Sequence, residues 1–108
     1  MTLPLSTPQA LASLAPVGAD RVATQVLYKT GGGSATVLAF RAGQGLREHT
    51  NPDDALLIVV DGRARISVAG EPHAVSAGET IRLPATVPHA VEAETDMRML
   101  LVLLHGAS

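Results

Sequence analysis

Among 108 residues that include no cysteine, the chemistry at neutral pH falls to a few side chains, and first to His49 and His89. Each lies in a short pattern of Gly, Pro and alternating apolar residues, the kind a small β-barrel uses to aim a side chain inward. Two imidazoles that meet inside a barrel can hold a transition metal or hydrogen-bond a ligand. Side chains two apart on a strand share a face. His49, Asn51, Asp53 and Ala55 therefore start on one face, unless a bulge at Pro52 shifts the parity and brings Asp54 in instead. By the same rule His89, Val91 and Ala93 share a face, with Glu92 and Glu94 turned away. His49 and His89 can thus meet inside the barrel, and Asn51, Asp53 and Val91 are the candidate pocket-lining residues. Two imidazoles alone hold Zn(II), Ni(II) or Cu(II) weakly, and Fe(II) or Mn(II) more weakly. A carboxylate from Asp53 or Asp54 would complete a two-His, one-carboxylate triad, and Asn51 offers a neutral amide oxygen. The bland alternative is a pair of polar pocket-lining residues that hydrogen-bond water or each other.

The other reactive side chains read as structural. His105 continues the face of Met97, Met99, Leu101 and Leu103 and could turn inward as a replacement ligand, although a His so near a terminus is more often exposed. His73 follows Pro72 at a hairpin and reads as a surface residue. Arg82 interrupts an apolar strand, where an outward-facing Arg is the commoner case than an anchor for an anionic ligand. Met97 and Met99 read as packing residues, and Glu48, out of phase with His49, as solvated. No nucleophile triad, phosphate loop or paired-carboxylate spacing stands out, and no organic cofactor is implied.

Bulk properties exclude several classes. The absence of cysteine removes disulfides, thiolate zinc sites, iron–sulfur clusters and a Cys nucleophile. Eight basic and ten acidic residues give a net charge of −2, with no run of either sign. A single Lys, Tyr and Phe and no Trp leave neither a phosphate-tracking patch nor a stacking platform, so nucleic acid is not an expected partner. The longest apolar run, Met99 to Leu104, is far short of a membrane span. The first residues lack the positive start of a signal peptide, and Pro4, Pro8 and Pro16 interrupt any apolar stretch, so the expected compartment is the cytoplasm.

Hydrophobic residues make up 46% of the chain and mean hydropathy is +0.25, which argues for a folded domain rather than disorder. The reading is an N-terminal arm over residues 1–20 and a single barrel domain over residues 21–108. Thr7-Pro8 reads as a helix cap and first helical position, with a short helix or turn from Pro8 to Leu14 closed by Pro16. Its Leu11, Leu14 and Val17 would lie on the barrel or on a second subunit. Strands are expected at 22–29, 35–40, 55–60, 63–68, 73–75, 79–83, 89–93 and 98–104, with Gly43 to Pro52 as a turn-rich connection carrying His49. Short strands at close spacing with Gly/Pro punctuation imply an all-β jelly-roll barrel or sandwich.

At this point the spacing resembles a known family. Gly43-x5-His49-x-Asn51-x3-Ala55-x6-Gly62 is similar to the first motif of the cupin superfamily, G-x5-H-x-H-x3-E-x6-G. Gly78-x5-Pro84-x-Thr86-x2-His89-x3-Ala93 is similar to the second, G-x5-P-x-G-x2-H-x3-N. The resemblance implies a small single-domain cupin whose metal-binding motif is degenerate. In the family three histidines and a glutamate hold a divalent metal; here His49 and His89 match the first and last histidines and are the candidate metal ligands that the resemblance implies. Asn51 stands where the second histidine would be, Ala55 where the glutamate would be, Thr86 for a Gly and Ala93 for an Asn.

Three functions follow as expectations. The first is a pocket around His49 and His89 that binds a small molecule, with a weakly held divalent metal (Zn, Ni, Fe or Mn). The second is a metal-dependent enzyme of dioxygenase or isomerase type. The third is an interaction role as a homodimer, which would also cover jelly-roll edges.

Overall fold

The structure, a computed structural model, describes residues 8–18 and 21–105. Among the described residues are one short helix and nine strands. Helix α1 spans Leu11–Leu14 and the strands are β1 Ala23–Thr30, β2 Gly33–Phe40, β3 Gly45–His49, β4 Asp54–Asp61, β5 Arg63–Val68, β6 Glu71–Ser76, β7 Thr80–Leu83, β8 His89–Ala93 and β9 Met97–Leu104. They form two antiparallel sheets, a five-stranded one in the order β1-β2-β9-β4-β7 and a four-stranded one in the order β3-β8-β5-β6. All-β character and jelly-roll layering are as expected.

Strand alternation builds the core between the sheets. Leu38 and Phe40 of β2, Ala55, Leu57 and Val59 of β4, and Met97 and Met99 of β9 face Ala64 and Ile66 of β5 and Val91 and Ala93 of β8. Phe40, Val59, Ile66 and Met97 are fully buried. The opposite parity of β5, Arg63 and Arg65, faces water and pairs with Glu92 and Glu94. On β4 and β9 both parities are apolar, so these strands carry an inner and an outer apolar face.

The arm lies on the outer face of the five-stranded sheet. Ala15 is buried there against Val37 and Ala39, with Leu11, Val17, Leu27 and Leu100 packed around them. Arg98 ties it down: its Nε donates to the Ala15 carbonyl at 2.8 Å and its guanidinium meets Asp61 at 3.1 Å.

Two elements differ from the sequence reading. The helix is shorter than Pro8 to Leu14: Ala10, which precedes it, is extended and offers no capping side chain, while nucleating a turn is costly without one. Thr7, the expected cap, lies outside the described residues. Within the stretch taken for a connection, Gly45–His49 is a strand. It is an edge strand paired with β8 alone, and its outward Arg47 and Glu48 give it the polarity of a loop.

Candidate functional site

β3 and β8 bring the two histidines together. In their register Leu46 pairs with Val91 and His49 with His89, so three steps on β3 match two on β8. The extra residue is a bulge, and it reverses the alternation so that both Leu46 and His49 face inward. Gly45 makes the approach possible, because a Cβ there would collide with the Val91 carbonyl. The imidazoles meet edge to face, with centroids 4.4 Å apart and planes at 72°, and their Nε2 atoms are 3.2 Å apart. His89 is 5% exposed, whereas His49 sits at the mouth, open to water.

The tautomers follow from the backbone. Nδ1 of His49 donates to the Arg47 carbonyl at 2.7 Å, and Nδ1 of His89 donates to the Val87 carbonyl at 3.1 Å. A carbonyl oxygen only accepts, so both Nδ1 atoms carry hydrogen and both neutral imidazoles present a bare Nε2. Burial pushes the His89 pKa below its ordinary value; the bond to Val87 opposes this and the neighbouring His49 charge adds to it. With both imidazoles neutral the pair is two acceptors aimed at one point, a place for an electrophile, whether a metal ion or a hydrogen-bond donor.

The cavity they face is small, about 50 Å³, and its walls are Leu46, Ala55, Leu57, Leu83, Val91, Met99, Leu101 and Leu103, with Asn51 at the rim. That volume holds about three to five water molecules. No charged side chain lines it.

Of the expected pocket residues, Asn51 and Val91 are brought to the histidines and Asp53 is not. Strand parity does not run through Asn51-Pro52-Asp53, because the Asp53 N–H bonds the Asn51 Oδ1 at 2.9 Å in a tight turn. The Asp53 carboxylate instead meets Nδ1 of His105 at 2.6 Å. Asp54 is turned to the Ala85 N–H and Arg82. His105 thus does not replace a ligand, His73 lies on the surface beside Glu71, Arg82 points outward, Glu48 is exposed, and Met97 and Met99 are core. Sequence reasoning left out Leu46, Leu57 and Leu83 as walls. Their alternation was visible, but which parity faced inward depended on the bulge and on the register.

The donor set fits a metal in part. Two nitrogens on one ion at about 2.0–2.1 Å stand about 2.9–3.4 Å apart for octahedral to tetrahedral angles, and 3.2 Å falls in that span. Among the described residues no group of three His, Asp, Glu or Cys side chains is placed to hold an ion. Ala55, in the glutamate's place, is buried in the cavity wall. His49 and His89 would therefore hold a divalent ion through two bonds, with the Asn51 amide nearby.

Comparison with known proteins places this architecture. A family profile described as a cupin domain matches residues 36–104. No curated protein matches. Among solved structures, a conserved protein of unknown function from Streptococcus pyogenes is 27% identical with a TM-score of 0.91, over 100% of this chain and 95% of that one. A cupin superfamily protein from Desulfitobacterium hafniense superposes with a TM-score of 0.88 at 23% identity, covering 96% of this chain and 95% of that one. A cupin 2 conserved barrel domain protein from Leptotrichia buccalis is 37% identical with a TM-score of 0.81; the match covers 86% of this chain but 45% of the other. With the profile spanning more than half of its length, and both histidines inside a barrel of this kind, the chain belongs to the cupin family.

Proposed function

We propose that the protein binds a small ligand of a few heavy atoms in the barrel interior, through His49 and His89, with a divalent transition metal held weakly between their Nε2 atoms. One observation carries this reading. Both Nδ1 atoms are committed to backbone carbonyls, so two bare nitrogens converge 3.2 Å apart in an apolar cavity. Such a pair favours an electropositive guest, and a cavity of about 50 Å³ admits little else beside it. A bound metal would act as a Lewis acid on the ligand atom that reaches it. The chain's own residues orient that ligand: Leu57, Met99 and Leu101 exclude water from its apolar part, and Asn51 meets its polar end at the rim. The enzymatic alternative requires a further ligand that Asp53, Asp54 and His105, each paired elsewhere, do not supply.

The test is thermal unfolding with Zn(II), Ni(II), Mn(II) and anaerobic Fe(II), on the wild type and a His49→Ala/His89→Ala variant. At ten times Kd a ligand bound only by the folded state adds about 1.4 kcal/mol, which raises Tm by about 6 °C in a domain of this size. The expected result is such a rise at submillimolar Zn(II) or Ni(II), absent in the variant. A wild type indifferent to all four ions, or a variant that responds equally, refutes the metal.

A further inference from the structure

The rim residue Asn51 is held in one orientation. Its Oδ1 accepts the Asp53 N–H at 2.9 Å. A backbone N–H only donates, so the amide nitrogen Nδ2 is the end turned away from that bond. The turn is anchored on both sides. The Thr86 N–H donates to the Asn51 carbonyl at 2.8 Å, and the Asp53 carboxylate accepts from His105 Nδ1 at 2.6 Å. Among the described residues no protein acceptor takes Nδ2, while the Asn51 side chain lines the cavity. The pocket therefore offers two acceptors, the Nε2 atoms 3.2 Å apart, and one donor at its rim.

We propose that, in the absence of metal, this pocket takes a neutral short-chain primary amide. The ligand's NH2 faces the histidine pair and its carbonyl accepts from Asn51 Nδ2. The inference rests on the reading that a small ligand binds in this cavity, and not on the metal. Counting selects the class. Two acceptors and one donor call for a ligand with two polar hydrogens and one acceptor, which is what a carboxamide carries. Charge excludes its relatives. A carboxylate would set its oxygens against two bare lone pairs. An ammonium would give up its water in a cavity that no charged side chain lines, and unlike a metal ion it forms no coordinate bond in return. A primary alcohol brings one hydrogen to two acceptors and leaves one unpaired. Size sets the chain length. A cavity of about 50 Å³ admits roughly three to five heavy atoms. Leu57, Met99 and Leu101 give it apolar walls for the aliphatic end. Acetamide and propionamide are of that size.

NMR titration of isotope-labelled protein, kept free of metal with EDTA, reads this directly. The probes are propionamide, propionate, n-propylammonium and n-propanol. Propionamide is expected to shift the Leu46, Val91 and Leu101 amides saturably and to bind roughly tenfold more tightly than the other three. Asn51→Asp keeps an oxygen for the Asp53 N–H but replaces the donor with a carboxylate. It should weaken propionamide by roughly tenfold and make n-propylammonium the preferred probe, a reversal that a merely structural role would not produce. A wild type that binds any of the other three probes as tightly as propionamide overturns the amide class. Propionamide binding that Asn51→Asp leaves unchanged overturns the part given to Asn51. If no probe binds while zinc still raises Tm, the amide is overturned and the histidine pocket stands. If neither acts, the pocket reading falls with it.

Discussion

Replacing Thr86 with glycine should make this protein more stable, although it removes a side chain and adds nothing. Thr86 has φ of 67°, in the left-handed region, where a Cβ crowds the following carbonyl and costs about 1–2 kcal/mol. Branching at Cβ places threonine at the upper end of that range. Two terms oppose the gain. Glycine gives the unfolded chain extra freedom worth about 0.5–1 kcal/mol, and the hydroxyl loses its bond to the Ala85 carbonyl, which is exposed and so contributes little. The net expectation is about 0.5–1 kcal/mol of stabilisation, or about 2–4 °C in Tm. The position matters for the site, since the Thr86 N–H holds the Asn51 carbonyl at 2.8 Å and the loop leads into His89. Urea unfolding is the assay, with an increased midpoint and unchanged slope as the expected result. A lower midpoint for Thr86→Gly would show that the left-handed conformation is not strained here and refute the reasoning.

Ala69 and Gly70, with φ of 54° and 80°, form the two-residue turn between β5 and β6, where Asn-Gly is the preferred pair. Ala69→Asn should raise Tm by a few degrees; no change or a decrease counts against the assignment of the turn. His89 predicts a pH dependence. Its folded pKa is lowered, chiefly by burial, so between that value and 6.5 the unfolded chain binds the proton that the folded chain refuses. Stability contributed by neutral His89 is therefore full above pH 6.5 and lost as pH falls toward the folded pKa. Denaturation midpoints from pH 7.5 to 5 should decrease less steeply in His89→Asn than in the wild type, and parallel curves would contradict the burial argument. Asn51→His with Ala55→Glu should restore four converging donors. Without metal the buried carboxylate lowers Tm, while zinc should raise it by more than in the wild type and at least 100-fold lower concentration. An equal zinc response in both proteins would mean that positions 51 and 55 do not face the histidines.

Most of the fold was legible because its signals are local. Arg63–Val68 alternates strictly and became β5 with the same bounds, and His89–Ala93 became β8. Gly62, with φ of 78°, sits where Asp61-Gly62 reads as a turn. The site was legible as far as single residues carry it: two histidines in the right frames. What was not legible depends on pairing across space. The bulge in β3 that turns His49 inward exists only in its register with β8, and an edge strand rich in charge has the composition of a loop. Asp53 was misplaced for a related reason. Counting by twos assumes a strand, and the bond from its N–H to Asn51 Oδ1 ends the strand before the count reaches it.

The same limit explains the two stretches where periodicity gave no direction at all. Ala55–Val60 and Met99–Leu104 read as continuous apolar runs, which in an antiparallel sheet with one wet face should not occur. The structure gives each parity a separate task. Leu57 of β4 and Met99, Leu101 and Leu103 of β9 line the pocket. Their neighbours Leu56, Val102 and Leu104 face outward, on the side of the sheet away from the pocket. Val102 stands between two pocket-lining leucines, so whatever packs on the outer row braces the wall of the cavity from behind. A pocket of about 50 Å³ tolerates little displacement of such a wall, since cores are packed too densely to absorb it. Substitutions on the outer row should therefore be felt at the histidine pair. Zinc titrations of the wild type and of Val102→Ala test the coupling, with weaker zinc binding expected in the variant, and equal affinities in both would show that the two faces of β9 act independently.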